Sequence, residues 1–341
     1  MWNYLKNAEK PVAIYGMGNG AEKIIDTLND YGVSPVGVFA SDDFVRGQTF
    51  RGFTVKKYSE LLQEYPDMKV LVAFGTYRDE VIENIKKIAK TSEVLAPDVA
   101  VYGGGLFTKD YYKKHKYKLE KVYNLLADEQ SKKVFENCIK FRISGKIDYL
   151  FDCETDAIEA NKNILKLKED EIYCDLGAYN GDTIDEFLKF SGGFKKIFAL
   201  EPDKKNFKKL SKKYGEKENV FLFNCAANDF SGEIGFNTNG GRHSVASDKG
   251  DRINAKKLDD ILNGEKATYI KYDVEGMEEQ AILGAKKTIQ NFKPKMLVSA
   301  YHRTEDYFKL PLLVSEIRDD YKIYMRHYKY IPAWDTQFYF V

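Results

Sequence analysis

Asp175-Leu-Gly177-Ala-Tyr179-Asn-Gly181-Asp182-Thr183 decides how this chain is read. A strand at 172–176 precedes it and a helix at 182–190 follows, so the nonapeptide is the turn of a strand–turn–helix unit. Gly177 and Gly181 let the backbone turn tightly and approach a ligand where side chains would block it. The N–H groups that open the helix point at whatever sits there. Asp175, at the C-terminal end of its strand, can take an ammonium or a hydrogen bond. Twenty residues past Gly181 stands Glu201-Pro202-Asp203, closing the next strand. A carboxylate there suits a ribose diol, because both hydroxyls donate and it offers two acceptor oxygens.

Working outward, the region after residue 170 alternates strand and helix. Strands are expected at 172–176, 196–200, 220–225, 269–273, 296–300, 321–325 and 337–341. Helices are expected at 182–190, 203–214, about 254–263, 277–290 and 311–319. Only a turn around Pro332 separates the last two strands, so they pair antiparallel. Residues 11–100 show the same alternation, with strands at 12–15, 36–39 and 70–74. Between the two regions, Leu119, Val122 and Leu126 share one helical face, as do Val134, Phe135, Cys138 and Ile139, with Asp128 or Ser131 as cap. Six lysines against two acids at 109–121 read as a solvated helix face. The fold class is α/β: two Rossmann-like domains, 1–104 and 169–341, joined by a helical connector, 105–168.

The glycine loop and the acidic strand end together indicate an adenosine-containing cofactor. The spacing D-x-G-x-x-x-G, with an acid opening the loop, favours an amino-acid tail over a pyrophosphate, and so S-adenosyl-L-methionine over a dinucleotide. Further on, Lys271-Tyr-Asp273-Val-Glu275-Gly-Met-Glu278 places two carboxylates at a strand's C-terminal end, where α/β enzymes bind ligands. The following strand ends in Ser299-Ala-Tyr301-His302-Arg303. His302 there is a candidate general base for a hydroxyl nucleophile; a surface histidine at a loop start is the alternative.

These blocks resemble the FkbM-type methyltransferases, S-adenosylmethionine-dependent enzymes of the class I Rossmann-like fold. The resemblance runs from about 172 to 341. It rests on D-L-G-A-Y-N-G-D-T at 175–183, A-L-E-P-D at 199–203, N-C-A-A-N-D at 224–229, K-Y-D-V-E-G-M-E at 271–278, L-G-A at 283–285 and K-P-K-M-L-V-S-A-Y-H at 293–302. It implies a class I sheet ending in the antiparallel pair, and O-methylation of a sugar or similar hydroxylated metabolite or glycan precursor. It assigns Asp175, Gly177 and Gly181 to the methionine end of the cofactor, together with Tyr179, Asp182 and Thr183 of the same loop. Tyr179 stands where the family has its middle glycine. Glu201 would hold the ribose, and Asn224 and Ala226 would lie by the adenine. Asp273, also near the cofactor, Glu275 and His302 would face the reacting hydroxyl, with Tyr301 on the substrate. The loop 240–247 is expected to cover the site, Arg242, His243 and Ser244 reaching a polar or anionic substrate; a loop without that role is the alternative.

In the first half, Gly16-Met-Gly18-Asn-Gly20-Ala21 follows a strand, Asp42 closes the next, and Gly75-Thr76 turns after the third. This resembles the small Rossmann-like domains attached to sugar-modifying enzymes. Two uses stay open for it: a site for a nucleotide-linked sugar, or a relic serving homodimerisation. The competing function is a nicotinamide-dependent oxidoreductase or nucleotide-sugar enzyme working from this half; a third is a non-catalytic nucleotide-binding protein.

Composition limits the remaining classes. With 341 residues, 43% hydrophobic and 14% aromatic, the chain has material for real cores. Its 53 basic and 52 acidic residues leave a formal charge of +1, which removes the electrostatic case for a nucleic-acid partner. No run approaches a membrane span and the first residues lack a signal peptide's apolar core, so a cytoplasmic protein without a membrane partner is expected. Cys138, Cys153, Cys174 and Cys225 are scattered, as buried small hydrophobes are, and no metal site is expected from the spacing.

Overall fold

In the computed structural model, the described residues are 1–103, 105–237, 245–246 and 251–341. Val12–Tyr15, Gly37–Ala40 and Lys69–Val72 are buried at every position. Strands buried on both faces belong inside a parallel sheet covered by helices. They form its middle, in the order Lys56–Lys57, Gly37–Ala40, Val12–Tyr15, Lys69–Val72, Glu93–Leu95, all parallel. The second sheet has seven strands: Val220–Phe223, Lys196–Leu200, Ile172–Leu176, Tyr269–Tyr272, Lys295–Ser299, Thr336–Phe340 and Ile323–His327. Its first five run parallel, and Thr336–Phe340 is antiparallel to both of its neighbours. The expected antiparallel pairing of the last two strands is therefore present.

Three expectations are corrected. The region assigned to a helix at 254–263 begins as the strand Asp251–Lys256, and the helix is only Leu258–Leu262. Ile253 and Ala255 are buried while Arg252, Asn254 and Lys256 are exposed, a two-residue period that marks a strand. This strand joins Ala226–Ala227, Gly232–Asn237 and Val245–Ala246 in a four-stranded sheet that the sequence reading missed. The helix at 277–290 breaks at Ala285 into Glu278–Gly284 and Lys286–Phe292. The helix at 311–319 starts earlier, at Asp306, and carries Pro311 inside it; the Asp306 carboxylate accepts the Arg303 N–H at 2.7 Å and closes the turn before it.

The helical stretch between the sheets is a structural layer. Asp128, not Ser131, caps Glu129–Ser144, accepting the Ser131 N–H at 2.7 Å. Ser131 turns its hydroxyl to the Met325 N–H, 3.0 Å away on the strand Ile323–His327. Arg326 on that strand is 2% exposed and is held by Asp128 at 2.7 Å and Glu159 at 3.1 Å. One hydrophobic cluster runs from Tyr15 and Phe39 in the first sheet through Leu119 and Phe135 to Ile172 and Tyr272 in the second. The four cysteines are buried and unbridged. Main-chain bonds also join the two halves. Thr76 and Ile331 exchange N–H···O bonds of 2.8 and 2.9 Å, and the Tyr102 N–H reaches the His302 carbonyl at 2.8 Å. Among the described residues, no helix is long and apolar enough to cross a membrane.

Candidate active site

In each sheet the first strand is flanked on both sides by later ones, so the strand order reverses at its C-terminal end, the place where open α/β sheets bind ligands. The two reversal points face one another across a single cavity of about 820 Å³. Gly18, Asn19, Gly20 and Gly75 line one side, and Gly177, Tyr179 and Glu201 the other. Its size suits a cofactor with part of an acceptor.

The Gly177 turn is imposed by crowding. Its φ is +94°, and a Cβ there would overlap the carbonyl oxygen of Asp273. Gly181, at φ +90°, would drive a Cβ into the Tyr214 ring. Between them Tyr179 takes φ +47°, the conformation glycine adopts freely, so the backbone shape survives the side chain at a cost of about 1 kcal/mol. The Tyr179 N–H then donates to Glu201 Oε2 at 2.8 Å, and the Asp203 N–H to Oε1 at 2.9 Å. Glu201 is 6% exposed; burial pushes its carboxyl up to about 7, against the pull of these two N–H groups. Each oxygen keeps a further lone pair for the cavity.

Of the residues singled out in this loop region, Gly177, Tyr179, Asp182, Thr183, Glu201 and Ala226 lie on the cavity wall. Asp175, Gly181 and Asn224 stand behind it. Asp175 is fully buried: the Thr183 hydroxyl donates to Oδ2, and Oδ1 has no partner. Burial raises its carboxyl to about 6, opposed by the Lys271 ammonium. Asn224 donates to the carbonyls of Glu201 and Pro202 at 2.8 and 3.1 Å, pinning the strand end that carries the carboxylate.

The second carboxylate group also comes together. Glu275 and Gly276 take φ of +51° and +95°, a sharp turn that brings Asp273, Glu275 and Tyr301 to the wall. Tyr301 donates to Asp273 Oδ1 at 3.2 Å, and buried Lys271 holds Oδ2 at 3.1 Å. Burial alone would raise the Asp273 carboxyl; the ammonium overrides it and keeps it below its ordinary range. His302 is not on the wall. It is 0% exposed, with Nδ1 2.9 Å from Glu278 and Nε2 3.4 Å from Glu275 and 3.8 Å from Asp273. Burial would lower its basicity, but Glu278 and Glu275 hold it well above the usual histidine range.

Arg242, His243 and Ser244 lie outside the described residues. In the first half, Asp42 is exposed in the turn after Gly37–Ala40 and does not line the cavity, so the carboxylate that a dinucleotide reading needs is off the site. Sequence reasoning missed Tyr330, Trp334 and Asp335, which close the cavity from the last hairpin. No local pattern announces them: Tyr330 and Trp334 are placed by packing against Gly75, where a Cβ would strike both rings.

Residues 175–332 match the family model for the methyltransferase FkbM domain. Nearly the whole chain shares the fold of the methyltransferase FkbM from Methylobacillus flagellatus KT: TM-score 0.77, 21% identity, covering 97% of this chain and 90% of that one. Smaller likenesses include Aeropyrum pernix fibrillarin in complex with S-adenosyl-L-methionine (TM-score 0.36, 16% identity, 54% and 72% covered). An rRNA methylase from Streptococcus thermophilus is similar at TM-score 0.36 and 15% identity, with 55% and 96% covered. No curated protein matches the chain in sequence.

Proposed function

We propose that the protein transfers a methyl group from S-adenosyl-L-methionine to a hydroxyl of a sugar or glycan precursor bound in the cleft between its halves. The observation that carries this is the Glu201 carboxylate on the cavity wall beside a loop whose Gly177 has no room for a side chain. The residues fit the cofactor. Gly177 and Tyr179 line the wall where its amino-acid end would lie, Glu201 has lone pairs for a ribose diol, and Ala226 leaves space for the base. When bound, the cofactor supplies an activated methyl on a sulfonium leaving group.

What the chain adds is position and the removal of a proton. Asp273, Glu275 and Tyr301 form a polar trio on the wall. Beside them stand Tyr330 and Trp334, with ring centroids 5.9 Å apart, which offer flat apolar faces to a pyranose. The acceptor's proton goes to Glu275, the wall carboxylate nearest His302; His302, one layer behind, positions Glu275 rather than touching the acceptor. No nucleic acid or membrane takes part in this reading, and the first half serves as the acceptor's second wall. A nicotinamide enzyme working from the first half lacks its ribose acid, because Asp42 is off the cavity.

Calorimetric titration with S-adenosylhomocysteine and, separately, NAD tests the reading. Binding of S-adenosylhomocysteine at one site per chain is expected. Binding of NAD alone would overturn it.

A further inference from the structure

We propose that Asp273, Glu278 and His302 form a divalent-cation site in the wall of the cleft. One donor atom from each lies within 4.8 Å of the others, close enough for a single ion to touch all three. Two of the three are sealed: His302 is 0% and Glu278 1% exposed. Their donor atoms are also unsatisfied. His302 Nε2 and Glu278 Oε2 are buried and complete no hydrogen bond, although carboxylates crowd the ring. A buried polar atom left in that state costs about 1–3 kcal/mol, so a cluster of them marks a missing partner.

The backbone has preset the site. Glu278 Oε1 accepts the N–H groups of Val274 at 3.0 Å and Gly276 at 3.3 Å, which fixes the carboxylate before any ion arrives. Asp273 is fixed by Lys271 on Oδ2 and Tyr301 on Oδ1. Charge points the same way. Asp273, Glu275 and Glu278 surround the ring, and the cation bonded to this group is Lys271; Arg303 spends its Nε on the Gly276 carbonyl at 2.5 Å. Lys271 balances one of these three carboxylates; a divalent ion would balance the other two, whereas an imidazolium would balance one. A single imidazole among carboxylates suits manganese better than zinc thiolate chemistry or an all-oxygen calcium cage.

Asp273 is both a member of this cluster and a cavity-wall residue, so the ion's open side faces the cleft. On the methyl-transfer reading, an acceptor hydroxyl bound there would be polarised and its proton released more readily to Glu275. The cation site itself stands or falls separately. The test uses the full chain stripped with EDTA and titrated with Mn²⁺, followed by electron paramagnetic resonance. One saturable Mn²⁺ per chain is expected, with nitrogen modulation from a coordinated imidazole. His302→Gln and Asp273→Asn should each weaken binding by at least about 10-fold, the least that loss of an outer-shell partner costs at such sites. Asp110→Asn, on an exposed helix, should leave it unchanged. Failure of the wild-type chain to bind Mn²⁺, or binding without nitrogen modulation, would overturn the site. S-adenosylhomocysteine titrated into the stripped protein reports on methyl transfer independently, since its loop and Glu201 are not ligands.

Discussion

Gly177 and Asp273 close on each other across the point where the second sheet reverses its strand order: the α-carbon of one faces the carbonyl oxygen of the other with no space for a methyl group. Gly177→Ala must therefore push the cofactor loop away from the strand end that carries Asp273, in a conformation that alanine also resists. We expect a loss of several kcal/mol in urea denaturation together with loss of S-adenosylhomocysteine binding. Gly18→Ala, facing open space at a helix N-cap in the first half, is the control and should lose no more than about 1 kcal/mol and keep S-adenosylhomocysteine binding. Equal effects of the two would remove the steric argument.

On the proposed reading, Glu201 makes cofactor affinity depend on pH. Its carboxyl, pushed up to about 7 by burial, is protonated over part of the neutral range, whereas a ribose diol is best accepted by the ionised form. Affinity for S-adenosylhomocysteine should rise between pH 6 and 8, with a proton released on binding, seen as a buffer-dependent enthalpy. Glu201→Gln should bind about 10-fold or more weakly, by the 1.5–3 kcal/mol of a hydrogen bond to a charged group, and show a flat profile. A sloping profile in the variant would assign the titration to another group.

His327 sets an acid limit on stability. It is 1% exposed, with Nδ1 3.0 Å from the Thr336 hydroxyl, and burial lowers it to about 4. A pKa depressed on folding contributes stability that is complete above the unfolded value of about 6.5 and is lost as pH falls toward 4. The loss amounts to about 3 kcal/mol. Denaturation midpoints across that interval should drop in the parent and drop less in His327→Gln. Parallel curves would show that other groups govern the acid limit.

Asp128 is both a helix cap and the main partner of buried Arg326. Losing a cap costs about 1 kcal/mol. Stranding a buried guanidinium costs about 3–5 kcal/mol. Asp128→Ala should lie nearer the larger figure, since Glu159 at 3.1 Å is the carboxylate left to Arg326. A loss of about 1 kcal/mol in chemical denaturation would reduce Asp128 to a cap.

The parts legible in the sequence were those set by local backbone demands. Gly177 and Gly181 announce left-handed turns, Asp128 announces a helix start, and runs such as 172–176 and 196–200 announce strands buried on both faces. The small sheet escaped because two of its strands span two residues each and Ile253 and Ala255 alternate too briefly to outweigh the helix beside them. Depth was not legible either. Nothing in Tyr301-His302 tells that the tyrosine reaches the cavity while the histidine lies behind it. That Gly75 meets Trp334 is a contact across 259 positions, settled by tertiary packing alone.

The main-chain bridge between Thr76 and Ile331 bears on how such a chain can diversify. The hairpin that completes the second sheet also clasps the first half, and the aromatic residues at its tip face that half's glycine turn. The front end is therefore not an exchangeable module. A chimaera that imports residues 1–104 from a relative must import the matching tip at 328–335 as well, and changes in acceptor choice should be inherited as paired substitutions at the two ends of the chain.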